Sequence, residues 1–162
     1  MSDLMKAVKK NDAARVRQLI DGGVDVSEKD ASQDVPLIMA AYKGYTEITR
    51  LLLEAGADVT AVDSGMKATA LHAAAYAGRT EAAKLLIEYG IDIDKQGPYN
   101  GYTALHDAIW QNNVETARVI IDGGADLHIT SNEGLTPPAM ARARHRNEIA
   151  AMIARKLEEA GE

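Results

Sequence analysis

The chain has 162 residues, 46% of them hydrophobic, and a formal net charge of −6. That length suits one domain, and the acidic balance argues against a general nucleic-acid binder. There is no cysteine, which excludes a disulfide frame, a thiol nucleophile and a thiolate metal site and is compatible with a reducing, cytoplasmic setting.

The chain opens Met1-Ser2-Asp3-Leu4-Met5-Lys6, which holds no apolar stretch suited to a secretory signal. No segment approaches the 18 apolar residues that a membrane-crossing helix needs, so no membrane span is expected. The first segment carries Lys6, Lys9 and Lys10 and ends Leu19-Ile20-Asp21-Gly22-Gly23-Val24-Asp25-Val26. The second reads Pro36-Leu37-Ile38-Met39-Ala40-Ala41 and later Leu51-Leu52-Leu53-Glu54-Ala55-Gly56-Ala57-Asp58-Val59. The third reads Thr69-Ala70-Leu71-His72-Ala73-Ala74-Ala75, then Leu85 to Ile93 around Gly90. The fourth repeats the pattern as Thr103-Ala104-Leu105-His106-Asp107-Ala108-Ile109, then Val119 to Leu127 around Gly124. The fifth starts near Asn132, reads Thr136-Pro137-Pro138-Ala139 and ends in a charged tail, of which Glu158 to Glu162 is expected to fray. Gly23, Gly56, Gly90 and Gly124 keep step at spacings of 33, 34 and 34. A period of this length signals a stacked solenoid.

Local chemistry supports two helices per period. Thr69, Thr103 and Thr136 precede helical patterns, where a hydroxyl can accept from free amide groups. Pro36 and Pro137 sit at the first helical position, where the missing donor costs nothing. Small residues at Ala40-Ala41 and Ala74-Ala75 let neighbouring helices approach. Gly44 and Gly78, with Asn11 and Asn112 in the equivalent places, suit a left-handed residue after the first helix. Without any Phe, the core must be built from Leu, Ile, Val, Met and Ala.

The pattern resembles the ankyrin repeat, whose signature is T-P-L-H-x-A followed by a second helix and a turn. The resemblance covers about Ser2 to Leu157. It implies an all-α ankyrin-repeat solenoid of helix-turn-helix units with β-hairpin finger loops. The units fall at about 2–31 (N-terminal cap), 32–65, 66–99, 100–132 and 133–160 (C-terminal cap), one capped domain over 1–162. The end units lack parts of the motif, as a finite stack needs to stay soluble. The fingers at Asp63 to Lys67 and Gln96 to Gly101 are each one residue longer than the others. Insertions of this kind collect on binding faces or drift neutrally at tolerant loops, and both readings stand.

Catalytic motifs are absent. His72 and His106 lie 34 apart at equivalent positions, but a zinc site needs three or four convergent ligands. The resemblance implies that these histidines are structural and hydrogen-bond within and between repeats. His128 and His145 read as surface residues. Asp25, Asp58, Asp92 and Asp126 recur at one turn position, where Asp bonds its own backbone. The chain is therefore read as a non-enzyme with no cofactor and no metal. Arg142-Ala143-Arg144-His145-Arg146 forms a basic cluster, more simply a solvated face than an anion site.

One constellation rises above architecture. Tyr42, Tyr76 and Trp110 recur at spacings of 34 and 34, just after the small-residue run of the first helix. The ankyrin resemblance implies that this slot faces the concave groove. Met39, Ala73 and Asp107 lie one turn earlier and should share that face. Tyr99 and Tyr102 sit on the longer finger beside Trp110. Lys9, Lys43, Gln111 and Arg144 are candidate polar contacts around the rings, while Tyr45 and Tyr89 fall outside the slot and read as structural. Tyr, Trp and Arg are the residues most enriched at binding hot spots. The expected function is non-catalytic recognition of another protein through the groove and fingers, by a rigid, prebuilt surface on a chain that is monomeric alone. Two alternatives stay open: binding of RNA or another anionic partner through the terminal basic clusters, or an engineered ankyrin scaffold, against which the irregular repeats argue.

Overall fold

The computed structural model describes all 162 residues and contains ten α-helices and no strand. In chain order they are α1 (Asp3–Lys9), α2 (Ala13–Asp21), α3 (Pro36–Lys43), α4 (Thr46–Glu54), α5 (Ala70–Ala77), α6 (Thr80–Glu88), α7 (Ala104–Gln111), α8 (Val114–Asp122), α9 (Pro137–Ala143) and α10 (Asn147–Glu159). They form five antiparallel pairs. First helices stack on first helices, α1 on α3 on α5 on α7 on α9, and second helices form a parallel row from α2 to α10.

None of the first nine helices exceeds nine residues, too short to be stable alone in water. Packing must hold them. Leu37, Leu71 and Leu105 recur at the same turn of successive first helices, and Leu52, Leu86 and Ile120 do so on the second row; all are fully buried. They join one continuous apolar cluster that runs the length of the stack. The alanine pairs at 40–41 and 74–75 are also fully buried, which is what allows the close approach of neighbouring first helices.

The ends of the first helices follow the sequence pattern. Ser2, Thr69, Thr103 and Thr136 each accept a backbone N–H of the first turn, and Pro36 and Pro137 occupy the first turn of α3 and α9. Gly44, Gly78 and Asn112 adopt left-handed backbone (φ 74°, 71° and 57°) and end α3, α5 and α7. A Cβ at Gly44 would also meet the Arg79 side chain at 2.8 Å. In the fifth unit the left-handed residue is His145 (φ 57°), so this exposed histidine has a turn role that its sequence context did not suggest.

Two expectations are corrected. The fingers are not β-hairpins: each closes with a turn, as in Asp30 N–H to Asp34 O, Asp63 N–H to Ala68 O and Gly97 N–H to Tyr102 O, without a ladder of paired bonds. Asp30 and Asp63 instead satisfy the loop amides with their side chains, Asp30 taking Ser32 and Asp34, Asp63 taking Met66 and Ala68. The C-terminal tail is also more ordered than its charge implied. The last helix continues to Glu159, and Glu162 reaches back to His128 at 2.7 Å.

Candidate functional site

A groove of about 560 Å³ runs along the face formed by α3, α5, α7 and the turns that precede them. Helix geometry places its side chains. On α7, Leu105 points into the core while Asp107 and Trp110, three residues apart, share the opposite face. The same offset gives Met39 with Tyr42 on α3 and Ala73 with Tyr76 on α5, and all six line the groove. Tyr42 is 44% exposed, Tyr76 51% and Trp110 39%.

The backbone beneath each ring is pinned by a donor from the next unit. Arg79 Nε donates to Tyr42 O at 3.0 Å, and Asn113 Nδ2 to Tyr76 O at 3.1 Å. Arg146 donates to Trp110 O at 2.8 Å and to Ile109 O at 3.0 Å. The carbonyls of Tyr42, Tyr76 and Trp110 lie at helix C-termini, where the helix supplies no donor and where a cation opposes the helix dipole, and Ile109 O also accepts the N–H of Asn112. The pinning residues sit 34 and 33 apart in sequence. They were missed because Arg, Asn and Arg do not read as one repeated residue.

The histidines knit adjacent units. Thr69 N–H reaches His72 Nδ1 at 3.4 Å, and His72 Nε2 lies 2.9 Å from Tyr102 O. His106 repeats this with Thr103 N–H at 3.1 Å and Leu135 O at 2.9 Å. A carbonyl can only accept and an amide can only donate, so each ring is the neutral Nε2–H tautomer. Burial pushes both histidines below their usual range. These contacts support the structural reading of His72 and His106 and fix the height of the finger that carries Tyr102.

Tyr102 differs from the other rings. It is 7% exposed and belongs to the core, stacked on His106 at 5.4 Å and tilted against Trp110 at 6.0 Å. Its hydroxyl donates to Glu133 at 3.2 Å, and burial, then Glu133, pushes it above the usual phenol range. Of the two tyrosines expected on the finger beside Trp110, Tyr102 is the one drawn inward, where it forms the groove floor. Tyr99, at 61% exposure, is the ring that projects.

The polar candidates lie outside the groove lining. Lys9 is held by Asp34 at 3.5 Å and the buried Asp30 at 3.9 Å. Lys43 sits 5.9 Å from the Tyr42 ring, and Gln111 is exposed at the end of α7. Arg144 takes the fourth rung of the aromatic series, its guanidinium 3.6 Å from the Trp110 ring centroid. The terminal basic clusters are thus largely engaged within the chain: Lys6 faces Asp3 at 3.8 Å, Arg144 stacks on Trp110 and Arg146 caps α7.

The lining contains three carboxylates, Asp34, Asp63 and Asp107, and no Lys or Arg. Asp34 pairs with Lys9 and Asp63 holds its loop. Asp107 has no ion pair or hydrogen bond from the protein, and burial alone pushes its carboxyl up to about 7.

Residues 3–63 and 61–131 match the family model described as ankyrin repeats in three copies. The chain belongs to the ankyrin-repeat family. Ankyrin repeats generally mediate protein–protein interaction. This ankyrin chain is also similar to palmitoyltransferase Hip14 of Drosophila melanogaster, 40% identical over 70 residues. That match covers 43% of this chain and 11% of the relative, so the chain spans about a tenth of the protein it resembles. No helix of the ankyrin chain is long and apolar enough to cross a membrane.

Proposed function

We propose that this chain is a non-catalytic, cytoplasmic recognition module of five repeats, monomeric alone, that holds a partner protein along its groove. Tyr42, Tyr76 and Trp110 are the anchors and Tyr102 is the floor beneath them. Tyr99, Lys43, Gln111, Lys9 and Arg144 form the rim. The observation that carries this reading is three half-exposed rings in one line along a single groove, on a backbone pinned from the next unit. Rings fixed in this way lose little freedom on being covered. The longer fingers favour the same face, because both contribute to the lining, Asp63 and Met66 from one, Gly97 and Asn100 from the other.

The alternative of an anionic partner is disfavoured by the engagement of the basic clusters and by the carboxylates of the groove. The acyl-transfer activity in the relative's name is not carried over, since the matched 70 residues are repeats and this chain offers no thiol nucleophile. The test is capture of partners from the native host by the chain, by Tyr42→Ala/Tyr76→Ala, and by Arg118→Ala on the exposed side of α8. Loss of a partner by the ring variant alone supports the groove. Equal retention by all three baits sinks it.

A further inference from the structure

The unusual residue of the groove is Asp107. Its counterparts in the two preceding units are Met39 and Ala73, side chains that suit an apolar wall. A carboxylate there is partly removed from water, and burial of a charge without a partner is costly. Other polar side chains around the repeats are bonded, Thr69 with His72, Thr103 with His106 and Asp30 to two amides, while the buried Nε of Arg144 is left without a hydrogen-bond partner. Asp107 has no such compensation, so nothing in the folded chain accounts for its charge.

Its surroundings favour one kind of complement. Tyr76 and Trp110 stand in the same groove with exposed ring surface, and aromatic faces attract cations. The chain itself lays a guanidinium on Trp110 and an ammonium near Tyr42. No Lys or Arg is among the lining residues, the neighbouring Arg144 being already stacked on Trp110, and the net charge of the molecule is −6. Among cations, a guanidinium is flat enough to stack on a ring while donating to a carboxylate with two parallel N–H groups. Val35, Ile38 and Met39 along the rest of the wall suit apolar side chains on either side of it.

We propose that the groove takes an arginine of an otherwise apolar segment of the partner protein, its guanidinium on the Asp107 carboxylate beside Tyr76 and Trp110. This rests on the groove being the docking face and names the chemistry it selects. Phosphate-bearing partners are repelled by the same carboxylates, and a metal ion would find only one unengaged ligand.

The cation binds the ionised carboxylate, so binding strengthens with rising pH until Asp107 is fully charged. Other groups bordering this region are His72 and Tyr76 on α5, Asp34 and Asp63 on the preceding loops, Tyr102 on the turn before α7, His106 on α7 and Arg144 beyond Trp110. An Asp107→Asn variant separates their contribution from that of Asp107.

The test uses a capped synthetic peptide with one arginine flanked by leucines, and the same peptide with neutral citrulline in its place. Both are titrated at low salt against the full chain, read by the fluorescence of its single tryptophan, Trp110. The expected result is binding of the arginine peptide, at least tenfold weaker binding of the citrulline peptide, and a several-fold loss for the arginine peptide from pH 8 to pH 6. Asp107→Asn, shown by its unfolding curve to be folded, should abolish both the preference and the pH response; Asp122→Asn on α8 should change neither. Equal binding of the two peptides, an unaffected Asp107→Asn, or no binding of either peptide overturns the inference. The capture experiment keeps the two readings apart. A partner lost by the ring variant but kept by Asp107→Asn removes the arginine and leaves the groove, whereas a partner kept by both removes both.

Discussion

The two faces of α5 and α7 obey opposite rules. On the inner face, Leu71 and Leu105 are 1% exposed, and at the boundary between the faces the buried His72 and His106 have both ring nitrogens bonded. On the outer face, Tyr76 and Trp110, about one turn further along, stand open and Asp107 lacks any partner. An eight-residue helix thus carries both the adhesion of the stack and the surface offered outward. The difference teaches that stability and recognition can be separated by substitution even within one short helix, provided the face is respected.

The sharpest way to break that separation is to attack the inner face. Leu105→Ala leaves a cavity between α5, α7 and α9, and should cost about 2–5 kcal/mol in urea unfolding. Nearest-neighbour coupling makes the loss of one layer felt by the whole stack. His106→Leu comes next. It strands Leu135 O and Thr103 N–H, and an unmade buried hydrogen bond costs about 1–3 kcal/mol. The wild-type histidines also carry an acid liability. Their folded pKa values lie below the unfolded value, so the unfolded chain binds more protons and stability falls as pH drops below about 6.5. His106→Leu should remove part of that slope in unfolding curves taken between pH 7 and pH 5.

The outer face should respond in the opposite currency. Tyr76→Ala should move unfolding by no more than ~0.5 kcal/mol, as an exposed substitution does. It should weaken partner binding by about 2 kcal/mol if the ring is a hot spot, measured by calorimetry on the captured partner. Trp110→Ala sharpens the contrast less cleanly. It also removes the Tyr102 contact and the Arg144 stack, so a cost of about 1 kcal/mol in stability accompanies the loss of binding.

The inner face was legible in the sequence because packing repeats. Leu at one turn, Thr before it and Gly or Asn after it recur in register, so helix pairs and caps could be read from spacing, while the role of His72 and His106 was implied by the ankyrin resemblance. The finger geometry was not: whether a loop closes by a strand ladder or by an Asp side chain is settled by Asp30 and Asp63, which resemble any turn Asp in sequence. The site was legible only in part. Tyr42, Tyr76 and Trp110 announce themselves by their period, but Tyr102 shares their chemistry without their exposure. Its burial depends on how His72 of one unit draws in the finger of the next. Asp107 was visible as a neighbour of the ladder. Its isolation from every donor depends on three-dimensional surroundings that spacing does not report.

The smallest expected effect tests whether Asp107 truly belongs to the outer face. Its carboxyl stands near 7 in the folded chain against 3.8 for an unhindered aspartate. Between these values the folded state holds the proton more tightly, so stability falls as pH rises, and the full penalty is present above about 7. Below about 4 both states are protonated and the penalty vanishes. Asp107→Asn removes a charge but leaves an amide with burial costs of its own, so the net gain at pH 8 should be on the order of 1 kcal/mol. For a chain of this size that corresponds to a rise of about 2–4 °C in melting temperature. At pH 4 that gain should be gone, and the variant should melt no higher than the parent. A residue belonging to the inner face would behave in reverse, because replacing a bonded group destabilises at any pH. A variant that is more stable yet binds its partner less well would place stability and recognition in direct opposition at a single position.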